Sequence, residues 1–438
     1  LPPKRGKGRG WGPRVVRAPP MTSAASLATH AAAHTPGTVS VALPAFGARS
    51  AVHALASLRA PVVCVPADQA SHALARLAPA LDALCAAADA PATLPIATLW
   101  LSYDAARTGC DPRPLRDLRP PGDACPAALL APHAATAVWR ADTGEVLHRA
   151  GTPDALSALD AHAREGGARG RLPLRSETSR ADFERAVTVA REEIAAGNVY
   201  LVNLARRVRV TGRDDLAAAV ARRVIDARPA RGMLAHVAGV IVGGMSMELA
   251  LRWERRAGVA WSEPIKGTRP RGVSDAQDRA EVIALQGDPK ERAENAMAVD
   301  VHRNDLSRVA TAVTTPSLFA VETHAFVHHL VSRVRAEVPV DLGSEAMLRA
   351  MLPVGSVTGA PKLAAMDLIA RLEPTRRGLY TGVYGVVFGD GSVELTVAIR
   401  TAVIAGDTLT YGVGGGVVWD SDPAREWEEL GWKLRALR

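Results

Sequence analysis

Apolar positions recur with two different periods along this 438-residue chain, and the switches between them mark its elements. In "SRADFERAVTVAREEIAAGNVY", Phe183, Ala186, Val187 and Ala190 follow helical spacing, and Gly197-Asn198 ends the run before the strand-like "VYLVNLARRVRV". "AHVAGVIVGGMSMELALRW" reads as strand and sets Ser246 and Glu248 two apart, on one side of an extended chain. "DPKERAENAMAVDVHRNDLSRV" predicts a helix on which Glu294, Met297 and Val301 share a face, and a carboxylate among apolar neighbours wants a cation. "GLYTGVYGVVFGDGSVELTVAIRTAVIAGDTLTYGVGGGVVW" predicts an antiparallel meander turning at Gly389-Asp390-Gly391 and Ala405-Gly406-Asp407. A closing helix, "DPAREWEELGWKLRALR", carries a stripe of Trp427, Leu430, Leu434 and Leu437.

The earlier chain is alanine-rich, with short apolar runs such as "APVVCVP" and "ATLWLSYD", and predicts strands and short helices without evident chemistry. The Gly/Arg-rich stretch 165–180 reads as a linker, dividing an N-terminal subdomain at 21–170 from a larger one at 175–438. Residues 1–20, rich in Pro and Gly ahead of Met21, are expected to be a disordered basic tail or an over-extended start.

Charge changes this picture little. The formal net charge is +8, but Lys4, Arg5, Lys7, Arg9, Arg14 and Arg17 supply six of those charges, so a nucleic-acid partner is not expected. No acidic residue precedes Asp68, as in an organellar transit peptide, although the Ala/Arg bias of the whole chain explains it as well. Hydrophobic residues make up 48% of the sequence without a membrane-length apolar run, so no membrane partner is expected. Cys64, Cys85, Cys110 and Cys125 lack CxxC spacing, which points away from zinc and disulfides and towards reduced thiols and a cytoplasmic location.

Several short stretches carry candidate chemistry. "GVGGGVVW" offers Gly412, Gly414, Gly415 and Gly416 for close backbone approach, in a hairpin or a binding loop. "LPVGSVTGAPKLAAMDLI" sets Ser356, Thr358 and Gly359 ahead of a helix, as a plain cap or an anion site. Glu429 and Lys433 are spaced as a helical ion pair, Arg400 sits in a strand facing a cavity or water, and His329 reads first as a core imidazole. In "EPIKGTRPRG", Lys266 is an anchor for an anion or a nucleophile.

In order, "PIKGTRPRG", "KERAENAMAVDVHRNDLSRV", "HLVS", "GSVTGAPK", "RRGLYTG", "AIRTA" and "GGGVVWDSDPAREWEE" resemble the chorismate-utilising enzymes, over roughly residues 175–438. Within that family the lysine of "PIKGT" is most similar to aminodeoxychorismate synthase component I, anthranilate synthases typically having alanine there. The resemblance implies an α+β fold, two-lobed, with α/β/β/α layers and large antiparallel sheets. It implies a Mg2+ ion held by Glu294 and Glu429 at the ring carboxylate of chorismate, and Glu248 as general acid for the departing C4 hydroxyl. Tyr380, Arg400 and Gly414 would hold the enolpyruvyl carboxylate. Ser356, Gly416 and Lys433 would lie near the ring carboxylate, Thr268 would line the substrate site, and His329 would lie near the ring.

By the same likeness Lys266 adds to C2 as the C4 hydroxyl leaves, and ammonia then adds at C4 and expels it, giving 4-amino-4-deoxychorismate. That needs a neutral amine, whose pKa would be depressed by Mg2+ and by Arg269 or Arg271. No nucleophilic-cysteine motif of a glutaminase is present, so ammonia is expected from a separate glutamine amidotransferase subunit or from solution, and no lyase segment is recognised after the helix. Departures from the family pattern are Leu201, where aminating relatives usually have glutamine and water-adding ones a lysine base, together with Met247, Val354 and Leu430. Two other readings stay open: anthranilate synthase component I, which Lys266 opposes, and a chorismate-binding paralogue with little turnover.

Overall fold

The structure, a computed structural model, describes residues 36–43, 52–110 except 93, 123–140, 146–151 and 172–437 except 228, 325 and 326. The basic segment 1–20 and the first part of the expected linker, 165–171, lie outside these residues. Four strands and three helices carry the site: β1 (Leu201–Thr211), β2 (Ile265–Pro270), β3 (Val327–Glu337), β4 (Thr408–Val417), α1 (Asp275–Gly287), α2 (Pro289–Ser307) and α3 (Pro423–Lys433).

Two antiparallel sheets form the centre. The first runs through Val146–Gly151, Ala128–Arg140, Val52–Leu58, Thr38–Leu43, Arg231–Val237, Val240–Ser246, Thr401–Ala405, β4 and β1. The second runs through Val63–Val65 and Pro95–Leu101, beside Ala128–Arg140, then Val383–Phe388, Val393–Val397, Leu249–Glu254 and Val259–Glu263 to β3, which also pairs with β2 and Ala312–Thr323. Ala128–Arg140 passes from one sheet to the other, and strands from both sides of the expected linker join in both sheets, Thr38–Leu43 pairing with Arg231–Val237 in the first and Pro95–Leu101 with Val383–Phe388 in the second.

Three apolar clusters separate four layers. One, with Val39, Val242, Trp100, Val386 and Phe388, lies between the sheets. Another packs Phe183, Val187, Val220, Leu368, Ile369 and Leu430 from helices onto the first sheet, and a third does the same for the second with Leu77, Leu81, Leu306 and Met351. This is the expected order of helix, sheet, sheet and helix.

The helices follow their local signals. Asp288 and Asp422 cap α2 and α3, accepting from Lys290 and Glu291 N–H and from Arg425 N–H respectively, with proline at the first helical position of each. On α2 the buried stripe is Asn295, Ala298, Val299, His302, Asp305 and Leu306, so Glu294, Met297 and Val301 flank it, half-buried, instead of forming it. The closing stripe is as expected, with Leu430, Leu434 and Leu437 buried and Trp427 packed at its edge.

Two long extended runs divide where the sequence pattern is continuous. "VIVGGMSMELALRWE" is two strands, one in each sheet, with Met247 and Glu248 at the crossing. The expected meander likewise changes sheet between Val397 and Thr401, at Arg400, whose φ of +49° is left-handed in a non-glycine residue. The crossings lie side by side, with Met245 N–H donating to Arg400 O and Val397 N–H to Glu248 O, both at 3.0 Å. The candidate site is built around this junction of the two sheets.

Candidate active site

Lys266 owes its direction to a bulge. The register of β2 against β3 shifts between Ile265 and Thr268, and Gly267 adopts φ +93°, which favours glycine. Below the bulge, Asn295 of α2, fully buried, donates from Nδ2 to Leu330 O (3.0 Å) and Lys266 O (3.5 Å), while its Oδ1 accepts from Ser332 Oγ at 2.5 Å. The amine reaches the face of β4, where a Cβ added at Gly416 would stand 3.3 Å from Lys266 Nζ and 3.0 Å from Leu201 Cδ1.

Glu248 lies close by, 3% exposed, accepting from Ser356 Oγ at 2.5 Å and from Ile265 N–H. Burial pushes its pKa up to about 7, against the opposing pull of Ser356, the Lys266 charge, Ile265 N–H and Arg231. Arg231 is itself engaged by Met247 O and Glu263.

Beyond the bulge, Thr268, exposed, shares a 2.9 Å hydrogen bond with Nδ1 of the buried His329. Burial, aided by the charge of Arg400, holds the His329 imidazole well below its ordinary pKa and therefore neutral. Arg269 and Arg271 turn away from Lys266: Arg269 pairs with Asp288 at 3.0 Å, and Arg271 forks onto Asp278 at 2.7 and 2.8 Å. The sequence-based assignment of either arginine as the tuner of the lysine is corrected accordingly, because both charges are already matched by carboxylates at helix starts.

The glycines of β4 lie inside a strand, neither at a hairpin nor in a loop, and are required by proximity. A Cβ at Gly412 would meet the Tyr380 ring at 2.2 Å, and one at Gly414 would meet Asn203 Oδ1 and the Tyr380 hydroxyl at 2.7 Å. Tyr380 is backed by the buried Arg377, which pairs with Glu373 at 2.6 Å and donates to Asn203 O of β1 and to Val357 O beside Ser356. Ser356 sits on a short 3-10 turn, not at the N-terminus of the helix Lys362–Leu372 that follows.

The remaining side chains form a carboxylate rim. Lys433 donates to Gly414 O and pairs with Glu429, both at 2.8 Å, so this pair is tied to the strand as well as solvated. Glu294 lies 4.0 Å from Lys290, whose charge also acts on Glu426 and Glu429 across from it. Burial opposes ionisation of Glu429, but Lys433, Lys266 and Lys290 outweigh it and lower its pKa. Glu291 and Glu426 are raised, in each case mainly by burial, with Glu294 or Glu429 adding repulsion.

The donor set suits a hard divalent cation. Among the described residues no three carboxylate or imidazole groups converge on one point, so no closed protein cage exists. Two facing carboxylate pairs with surplus negative charge are instead what Mg2+ accepts, since it keeps several waters and takes few protein ligands.

The residues that the resemblance assigns to metal, substrate and catalysis lie in this one region, whereas Arg269 and Arg271 turn away from Lys266. Sequence reasoning missed Glu291, Glu426, Lys290, Asn295 and Arg377. For two of these a signal existed: Glu291 and Glu426 each precede a noted glutamate by three residues after an Asp-Pro start.

The family described as chorismate binding enzyme matches residues 61–438, well into the segment that carried no motif. An aminodeoxychorismate synthase of Streptomyces pristinaespiralis is 39% identical over 343 residues, 78% of this chain and 41% of that protein. Anthranilate synthase component 1 of Synechocystis is 36% identical over 61% of this chain and 54% of its own. The chain therefore spans about two fifths to a little over half the length of these relatives. Among solved structures, anthranilate synthase component I from Streptococcus pneumoniae superposes with a TM-score of 0.71 at 23% identity, over 82% of this chain and 85% of that one. The putative 2,3-dihydroxybenzoate-specific isochorismate synthase of Bacillus anthracis gives 0.67 at 18% identity over 94% and 98%, and these two likenesses establish the fold alone. With two stacked antiparallel sheets, a site at their junction and a match over most of its length, the chain belongs to the chorismate binding enzyme family.

Proposed function

We propose that the chain is an aminodeoxychorismate synthase component I, converting chorismate and ammonia to 4-amino-4-deoxychorismate and water. The observation that carries this reading is the amine of Lys266, aimed over Gly416 at the sheet junction with Glu248 as its acidic neighbour. Ammonia would be delivered from glutamine by a partner amidotransferase, and the product would serve 4-aminobenzoate and folate synthesis.

Glu294 and Glu429 would hold Mg2+, which when bound neutralises the ring carboxylate and withdraws electron density from the ring. Arg400 and Tyr380 fix the enolpyruvyl carboxylate, with the Gly414 backbone close beneath, and Ser356 with Gly416 faces the ring carboxylate. Lys433, held on Gly414 O, adds a positive charge there. Glu248, protonated, gives its proton to the C4 hydroxyl, which leaves as water while the Lys266 nitrogen bonds to C2. Ammonia then bonds to C4, the C2–nitrogen bond breaks, and the proton shed by the new amine returns to Glu248. His329, neutral and locked by Thr268, packs beside the ring without contributing charge.

Purified protein incubated with chorismate, Mg2+ and ammonium, with products separated and identified by mass, tests the reading. Aminodeoxychorismate is expected; anthranilate as the sole product, or chorismate recovered unchanged, overturns it. A Lys266→Met variant is expected to form no covalent substrate adduct detectable by intact-protein mass spectrometry.

A further inference from the structure

We propose that His324 is a substrate-binding residue, its imidazole completing with His329 and Arg400 a receptor for the carboxylate of the enolpyruvyl side chain. The inference rests on the reading of Arg400 given above and adds to it a residue outside every motif noted in the sequence. His324 ends the strand Ala312–Thr323, where its N–H donates to Val327 O at 2.8 Å and closes the hairpin into β3. That closure turns the side chain inward: it is 7% exposed, and its ring lies 5.4 Å from that of His329.

Nε2 of His324 and Nε2 of His329 are both buried, and neither has a hydrogen-bond partner. Two orphaned ring nitrogens side by side are uncommon in an interior, because a buried polar atom is normally paired. Glu322 is the carboxylate beside His324, but its Oε2 is 3.9 Å from Nε2, too far for a hydrogen bond, and its Oε1 faces Arg333. Arg400 supplies the matching half. Its charge acts on both imidazoles, and among the described residues its only charge partner is Tyr411, with no carboxylate. A guanidinium without a carboxylate partner beside two imidazoles with unpartnered nitrogens matches one anionic, planar, multiply accepting group.

A carboxylate fits those requirements. One negative charge balances Arg400, and the remaining lone pairs take N–H donors from neutral imidazoles. Burial, Arg231 and Arg400 keep His324 neutral, its pKa pushed down to about 4, so it adds a hydrogen bond without a second positive charge. With Nδ1 of His329 taken by Thr268, Nε2 is the nitrogen that remains for the ligand.

His324→Phe keeps the ring volume and removes both nitrogens, whereas His324→Gln keeps a donor at similar reach. Chorismate binding with Mg2+ and no ammonium is measured by calorimetry, and KM and kcat with ammonium present. Loss of a hydrogen bond to a charged group is expected to raise Kd and KM for chorismate about tenfold or more in the Phe variant, with kcat within about threefold and most of the loss recovered by Gln. The monomethyl ester at the enolpyruvyl carboxylate should bind the wild type and the Phe variant alike. A Phe variant within about twofold of wild type, or one that loses as much affinity for the ester as for chorismate, overturns the assignment. If the wild type binds chorismate and the Phe variant is unaffected, only His324 is removed; if the wild type binds no chorismate, both the assignment and the proposed function fall.

Discussion

At Glu248 the proposed role of general acid and the physics of burial point in the same direction. A general acid must carry its proton, and the junction of the sheets raises the pKa to about 7 without any neighbouring carboxylate. The kcat for amination is therefore expected to fall as pH rises through about 7, and Glu248→Gln to lose about 100-fold or more in kcat and to lose this limb of the profile. Leu201 is a second test at this scale. Its Cδ1 and the Lys266 amine approach the same point above Gly416, so an apolar methyl stands beside the amine; on the proposed function, a polar side chain there would contact incoming ammonia. Leu201→Gln is expected to lower the KM for ammonium about threefold to tenfold while leaving the KM for chorismate unchanged, measured by initial rates at fixed saturating co-substrate. The two residues also mark the reach of sequence reasoning. Glu248 and the departure at Leu201 were legible only through the family resemblance, which fixes their positions in the pattern. The partners of Arg269 and Arg271 were not legible, since Asp278 and Asp288 lie on helices whose docking angle no local pattern encodes.

Among the elements, helices were the easier to read, because a helix announces its ends in its own residues. Ser179, Asp288 and Asp422 each cap a helix at the start of a stretch whose spacing reads as helical, with proline following the cap in α2 and α3. Strands were legible as strands but not as members of a particular sheet. Period-two alternation continues through Met247-Glu248 and through Ile399-Arg400 although the chain changes sheet at both, since each side of the crossing is buried and a slightly bent extended chain has the same alternation. The bulge at Gly267 escaped for a related reason: it depends on β3, some sixty residues away, and on Asn295, which looks like an ordinary polar position on a helix. Asn295→Ala should expose this dependence. It leaves Leu330 O, Lys266 O and Ser332 Oγ without their amide partner in a dry interior, and a loss of about 2–4 kcal/mol in unfolding free energy is expected from urea titration. Because Lys266 is carried by the same bulge, kcat should fall more than chorismate affinity in that variant.

For the molecule as a whole, the cost of burying titratable groups, in the site and elsewhere in the fold, appears in the pH dependence of stability. His133 and His324 are pushed down to about 4 and His302 to about 3, chiefly by burial, from an ordinary value of 6.5. As pH falls below 6.5 the unfolded chain takes up protons that these folded imidazoles refuse, so this group of residues makes stability fall with acidification. Glu248 at about 7, Asp123 at about 6 and Asp305 at about 6 do the reverse: raised by burial, they hold protons in the folded state that the unfolded chain has released above about 4.5, so they make stability fall as pH rises towards 7. Over the interval from about 4.5 to 6.5 the two groups oppose one another, and the fold should show a shallower pH dependence than its buried histidines alone would give. Replacing Glu248 by Gln removes one member of the second group without changing shape or adding charge. Between pH 4.5 and 7.5 the stability of Glu248→Gln relative to wild type should move by about 3 kcal/mol in favour of glutamine, the linkage value of a carboxyl raised from 4.5 to about 7. Paired urea titrations at the two pH values measure it, and a difference that stays constant with pH would mean that Glu248 is ionised in the folded protein throughout, which would also remove it as the acid.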